Sequence, residues 1–342
     1  MPRGKVYLLQ TQTHASRSWV LSFLGEVNMG EWWMWAGFFS IVLVLLWIDI
    51  RFVGGGKAHK VSLKEAGIWS LIWISVALLF NLAIWFWLDH SAGREIANQK
   101  GLEFLTGYLI EKALAVDNVF VWLMLFGYFA IPAELQRRVL LYGVLGAIVM
   151  RAGMVFAGSW LIEQFHWILY LFGAFLLLTG VKMLWAADKE PDLANNPLLG
   201  WMRRRFKVTE TLEGENFFVW RDGVRYATPL LLILVLVEVS DLIFAVDSIP
   251  AIFAVTTDPF IVLTSNIFAI MGLRAMYFLL AGVAERFALL KYGLALILMF
   301  IGVKMLLLDI FKIPTGIALG VVALILLASM GLSLWVTRKK TA

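Results

Sequence analysis

Two stretches of this sequence carry residue types that bind hard cations, and they repeat each other: Glu111-Lys-Ala-Leu-Ala-Val-Asp117-Asn118 and Asp241-Leu-Ile-Phe-Ala-Val-Asp247-Ser248. Each has a carboxylate, five residues ending in Ala-Val, an Asp and a small polar side chain. Both lie inside long apolar segments, where an ionised carboxylate costs roughly 2.5 to 3.5 kcal/mol. A bound cation is the natural compensation, and carboxylate, amide and hydroxyl oxygens suit Mn²⁺, Mg²⁺ or Ca²⁺. On a regular helix the step from Glu111 to Asp117, or from Asp241 to Asp247, is about 9 Å along the axis and about 120° around it. Neither pair therefore shares one ion without distortion. Pro250 leaves the Val246 carbonyl without its helical donor, which adds an oxygen beside Asp247. The expected arrangement is a midplane site shared by Asp117 and Asp247, with Asn118 and Ser248 beside them. Glu111 then flanks it toward the outside, and Asp241 with Glu238 toward the cytoplasm.

Lys112, Arg151 and Arg274 are the basic residues within these apolar stretches able to pair with the acids. Arg151 and Arg274 are expected to hold carboxylates whenever metal is not bound. Lys182 and Lys304 read as snorkelling residues near helix ends. Glu103 and Tyr108 suit an outer approach, and Asn81 and Asn266 suit helix caps or cross-links. His14, His59, His90 and His166 fall outside the acidic motifs, which disfavours a histidine metal site.

The elements that position these residues follow from composition. With 61% hydrophobic residues, 16 Trp, 25 Phe and 15% charged residues, the 342-residue chain reads as an all-α polytopic membrane protein. Nine stretches are apolar and long enough to span: near 33–52, 66–88, 103–130, 139–163, 165–186, 227–256, 259–283, 287–308 and 313–336. Most loop Lys and Arg, including Arg137, Arg138, Arg203, Arg204, Arg205 and Arg338, fall on one face when the N-terminus is outside. That bias predicts a periplasmic N-terminus and a cytoplasmic C-terminus. The first thirty residues show no compact apolar run with a cleavage site, so no cleaved signal peptide is expected. Cysteine is absent, which excludes disulfides and any thiol redox cycle carried by this chain. The net charge of +5 belongs to the loops and calls for no nucleic-acid partner.

Three landmarks recur in the same order. The acidic motifs come first, then Met150-Arg151-Ala152 and Leu273-Arg274-Ala275, then Gly180-Val-Lys182-Met-Leu184 and Gly302-Val-Lys304-Met-Leu306. Spans three to five thus look like a copy of spans six to eight, and because the second copy starts after five helices the two run in opposite directions. Such inverted 3+3 repeats place binding sites between the copies near the midplane. The expected organisation is an N-terminal extracytoplasmic segment (1–32), peripheral helices one and two (33–102), the first repeat (103–186), a cytoplasmic loop (187–226), the second repeat (227–308), and a ninth helix with a cytoplasmic tail (309–342). Within the loop, Asn195-Asn196-Pro197 marks a turn and Asp222-Gly223 the turn of a short hairpin.

These motifs resemble the TerC family of integral membrane proteins, carried by Glu111 to Asn118, by Glu238-Val-Ser-Asp241-Leu-Ile-Phe-Ala-Val-Asp247-Ser-Ile-Pro250, and by Phe253-Ala-Val-Thr-Thr-Asp258-Pro259. Within it the match is to the Alx-like branch of bacterial inner-membrane proteins. The resemblance implies manganese handling, with Glu111, Asp117, Asn118, Glu238, Asp241, Asp247 and Ser248 as metal positions. Redox modulation is also attached to that branch, and nothing in these residues carries it. The resulting expectation is a secondary transporter, not an enzyme, exporting a hard divalent cation, Mn²⁺ foremost, in exchange for protons or another ion and without an organic cofactor. The chain has no Gly-x-x-x-x-Gly-Lys-Ser/Thr segment to suggest a nucleotide-driven pump. The rival readings are a metal-delivery partner for other membrane or secreted proteins and a membrane-embedded redox or hydrolytic protein.

Overall fold

The computed structural model describes residues 30–53, 62–186, 197–281 and 289–341. The segment before residue 30, with Arg3, Lys5, His14 and Arg17, lies outside the described residues. So do Lys57, His59, Lys60, Lys189, the Asn195-Asn196 turn and Arg286.

The described chain is built of α1 (Trp32–Ile48, continued by a π turn over Asp49–Val53), α2 (Leu63–Ser91), α3 (Arg94–Tyr128), α4 (Ala133–Gln164), α5 (Ile168–Ala186) and α6 (Pro197–Arg205). After a hairpin of β1 (Phe218–Arg221) and β2 (Val224–Ala227) come α7 (Pro229–Phe253), α8 (Pro259–Met271), α9 (Leu273–Ala281), α10 (Leu290–Leu306) and α11 (Thr315–Thr341). Local chemistry sets several boundaries. The Ser62 hydroxyl accepts from the Glu65 amide at 3.2 Å to start α2. Asp258 caps α8 by accepting from the Phe260 and Ile261 amides, with Pro259 in the first helical position where its missing N–H costs nothing. Asp222 and Gly223 both take positive φ, 50° and 72°, as a two-residue hairpin turn requires. That turn pairs Arg221 with Val224.

Helix covers part of each of the nine apolar stretches. Six described helices are long and apolar enough to cross a bilayer, or seven if α8 and α9, bent by 40°, form one broken span. The expected nine is larger for two reasons. Helix α3 carries Glu103, Glu111, Lys112 and Asp117 within its length, and α10 is only 17 residues long.

The molecule is polar inside and apolar outside. Trp32, Trp185, Leu178 and Leu327 are each at least two-thirds exposed, whereas Glu111, Asn118, Arg151, Asp241, Ser248, Asn266 and Arg274 are almost completely buried. A lipid-facing surface over a charged interior is the arrangement a bilayer demands. Helix α3 is central, packed by α2, α7, α8 and α11, while α4 covers α7 and α8 from the other side. Helices α5 and α10 form the closest pair. A Cβ on Gly302 would lie 2.6 Å from the Leu177 amide nitrogen, and one on Gly180 would lie 2.8 Å from the Ala295 carbonyl. Small residues at such positions let membrane helices approach backbone to backbone.

Candidate functional site

Helix α3 presents Glu111 and Asn118 two turns apart, and α7 presents Asp241 and Ser248 at the same spacing. Asn118 donates to Asp241 at 2.7 Å, and at the other end Glu111 and the Ser248 hydroxyl both accept from Nη1 of Arg151. The first residue of each motif is thus linked to the last residue of the other, directly for Asp241 and Asn118 and through Arg151 for Glu111 and Ser248.

Arg151, from α4, fills the space between the two motifs. It is 1% exposed and donates to Glu111, to Asp241 through Nη2 at 3.2 Å, and to the Ser248 hydroxyl at 2.8 Å. Asn266 of α8 closes the ring, donating to the second oxygen of Glu111 at 3.1 Å. One guanidinium therefore neutralises two carboxylates, and each hydrogen bond it makes to them is charge-assisted. Glu111 and Asp241, expected at opposite ends of an acidic ladder, are instead joined at one station. The arginine is long enough to reach both from a third helix.

Asp117 and Asp247 behave differently. Both line a cavity of about 240 Å³ bounded also by Glu111, Asn118, Arg151, Thr179, Lys182 and Ser248. Thr179 and Lys182 face the same cavity as Asp247, and the Lys182 ammonium acts on its carboxylate through space. The Asp117 carboxylate makes no hydrogen bond or ion pair among the described residues. Lys182 borders the cavity and is itself exposed, four residues before the end of α5, as a snorkelling residue near a helix end would be. A correction concerns Arg274, which holds Asp49 of the π turn, at 3.2 Å, and none of the motif carboxylates.

Lys112 is a further correction. Its ammonium donates to the Ala269 carbonyl at 3.1 Å, next to the break at Gly272. A cation at the C-terminal end of α8 satisfies a carbonyl that the bend frees, so this lysine serves the broken helix rather than the acids. Glu238 stands apart from the cavity. Its carboxylate sits over Gly146 of α4, where a Cβ would approach Oε1 to 2.1 Å, and its Oε2 is buried without a hydrogen-bond partner among the described residues.

At the end of the bundle where α4 finishes, a second cavity of about 480 Å³ is lined by Lys100, Glu103, Glu163, His166 and Asp258. Glu103 accepts from Lys100 at 3.1 Å and Thr256 at 2.8 Å. Asp258 pairs with Lys100 at 3.1 Å, and burial holds its carboxyl above the usual range despite that pairing. Tyr108, a turn from Glu103, has a buried hydroxyl without a partner among the described residues.

Thr179, Lys182 and Asn266 were not singled out as site residues from sequence. A polar pair three residues apart in the otherwise apolar α5 was the available signal, since i and i+3 share a helix face. No group of three or more His, Asp or Glu side chains stands close enough to hold a metal ion among the described residues. Any cation in the central cavity would draw on carboxylate, amide and hydroxyl oxygens together, after rearrangement of the Arg151 contacts.

A polytopic helical protein with an ion-paired interior and a cavity beside it has the build of an integral membrane protein. Residues 96–341 match the model of the "Integral membrane protein TerC family", and the chain belongs to that family. A relative from Shigella flexneri, described as a proposed membrane-bound redox modulator, Alx, is 61% identical over 303 residues, covering 89% of this chain and 95% of its own. The Escherichia coli (strain K12) protein of the same description is also 61% identical, over 89% and 94%. An uncharacterized membrane protein of Myxococcus xanthus is 47% identical over 307 residues, covering 90% and 93%. No solved structure matches the chain.

Proposed function

We propose that this TerC-family protein is a secondary transporter that moves a hard divalent cation, Mn²⁺ foremost, out of the cytoplasm through the central cavity. The observation that carries this reading is a charge imbalance. Glu111, Asp117 and Asp247 line the cavity with Arg151 and Lys182. Arg151 is shared with Asp241 behind it, and Lys112 acts on Glu111. Among the described residues, the carboxylates therefore outnumber the cations when all are ionised. A bound cation offsets that excess, and Asp117 has no hydrogen bond or ion pair among the described residues. Asn118, Thr179 and Ser248 supply neutral oxygens of the kind such ions take.

Arg151 acts as a built-in counter-cation. It occupies Glu111 and Asp241 while the site holds no metal, and an arriving ion competes for those carboxylates. Metal requires deprotonated carboxylates, so protons and metal compete for the same groups and their fluxes can be coupled. The direct pairing of Asn118 with Asp241 and the link from Glu111 to Ser248 through Arg151 support an inverted repeat, which alternating access exploits. The nine-span count, the periplasmic N-terminus and the inner-membrane location belong to this same proposal, as do Glu103 and Asp258 as an acidic exit. Glu238, outside the cavity with an unpaired oxygen, suits an approach position.

The test is Mn²⁺ flux in vesicles containing only the purified protein. Asp117→Asn and Asp247→Asn are expected to abolish flux while leaving a folded protein in the membrane. Undiminished flux in both would remove the cavity from the mechanism. Fully folded protein with no flux in the parent would favour the metal-delivery reading.

A further inference from the structure

A second charged pocket lies far from the cation cavity, at the end of the bundle where α4 begins. Arg137, Arg138, Leu141 and Tyr142 of α4, Arg274 of α9 and Glu215 before the hairpin line a cavity of about 250 Å³. Arg274 is 1% exposed, and only its Nη2 is bonded, to the carbonyl and carboxylate of Asp49 at 3.2 Å. Its Nε and Nη1 are buried without a hydrogen-bond partner among the described residues. Arg137 stands near enough for the two like charges to act on each other. Arg138 donates to Glu215 at 2.8 Å, and its Nε is buried without a partner among the described residues.

Leaving donors of a buried guanidinium unpaired is costly, and packing three guanidiniums around one cavity adds like-charge repulsion. Asp49 pairs with Arg274 and Glu215 with Arg138, which leaves the Nε and Nη1 of Arg274 to be satisfied. We propose that this cavity is an anion site that takes a phosphoryl group, on a lipid headgroup or as free phosphate. Guanidinium forks match phosphoryl oxygens in pairs, and the nearby N-terminal end of α4 adds favourable amide dipoles. The volume far exceeds the roughly 30 Å³ of one water, so the group fits with some hydration. Glu215 is the resident competitor, holding Arg138 until an anion displaces it. The site does not depend on the transport reading, since it shares no residue with the cation cavity.

The experiment uses the full chain in maltoside detergent, with phosphatidylglycerol, phosphatidylcholine and inorganic phosphate as separate probes. Native mass spectrometry and melting temperature report binding. Phosphatidylglycerol retained over phosphatidylcholine identifies a lipid headgroup, and stabilisation by inorganic phosphate alone identifies the free anion. Either supports the site if Arg138→Gln weakens binding about tenfold or more and Glu215→Gln strengthens it. Arg274→Gln is the stronger perturbation, and Arg138→Gln, at a half-buried residue, keeps the test valid if that variant does not fold. Failure of every probe to bind, or binding unchanged by Arg138→Gln in a cooperatively melting protein, overturns the proposal.

Discussion

Arg151→Met is expected to lower stability by about 3 to 5 kcal/mol, the cost of leaving buried charges without their partner. The loss should be read as a fall in melting temperature of the purified protein and as poor accumulation in the membrane. The cause is specific: Glu111 and Asp241 are both almost wholly buried, and each gives its closest charged contact to this one guanidinium. A second variant separates charge from packing. In Arg151→Met combined with Glu111→Gln and Asp241→Asn, no unpaired charge is left, and Asn118, Ser248 and Asn266 remain to bond the amides. That triple variant should recover most of the lost stability, because apolar or neutral replacement of a whole buried ion network is often tolerated. It should still fail to move Mn²⁺, since the net negative charge of the cavity falls with it. A single Arg151→Met variant as stable as the parent would show that the network contributes no net stability in the folded chain.

The second large effect is expected at the contact between α5 and α10. Gly302→Val brings a branched side chain onto the Leu177 amide and the Gly173 carbonyl, which lie 2.6 and 2.8 Å from the position of its Cβ. Backbone atoms cannot rotate away as a side chain would, so the two helices must separate. Overpacking of this kind costs about 1 to 3 kcal/mol, and backbone opposition places this case at the upper end or beyond. Gly320→Val on α11 is the control, because nothing lies within 4 Å of its Cβ position. Thermal melts of the two variants should differ clearly, with only Gly302→Val falling. Equal melting temperatures would mean that α5 and α10 do not rest on this contact. Displacement of α5 also carries Thr179 and Lys182 away from Asp247, so flux should fall with stability in Gly302→Val.

How far the sequence could be read depended on whether a property is local to one helix. The repeated motifs placed Asp117, Asn118, Asp247 and Ser248 around one cavity, because spacing along a helix and burial cost are both visible in a string of residues. The Asp222-Gly223 hairpin was legible for the same reason, since positive φ at both positions is a demand that few residue pairs meet. What could not be read was which helix faces which. Arg151 and Arg274 occupy matching places in the repeat, yet one joins two motif carboxylates and the other holds Asp49, a choice made by tertiary packing. Lys112 sits beside Glu111 in sequence and points to Ala269 in space, because neighbouring residues on a helix face different directions. The span count diverged where function loads a helix with charge. Helix α3 carries Glu103, Glu111, Lys112 and Asp117, so it is not among the helices apolar enough to cross although the stretch 103–130 reads as one of the nine.

The most direct measurement is Mn²⁺ binding to the purified full chain, followed by electron paramagnetic resonance as free Mn²⁺ is titrated in. The proposed transport function predicts one bound ion in the parent, and loss of that ion in both Asp117→Asn and Asp247→Asn, with Arg138→Gln unaffected. Full binding retained in both aspartate variants, each shown to melt cooperatively, would contradict a divalent cation held between the two halves of this protein.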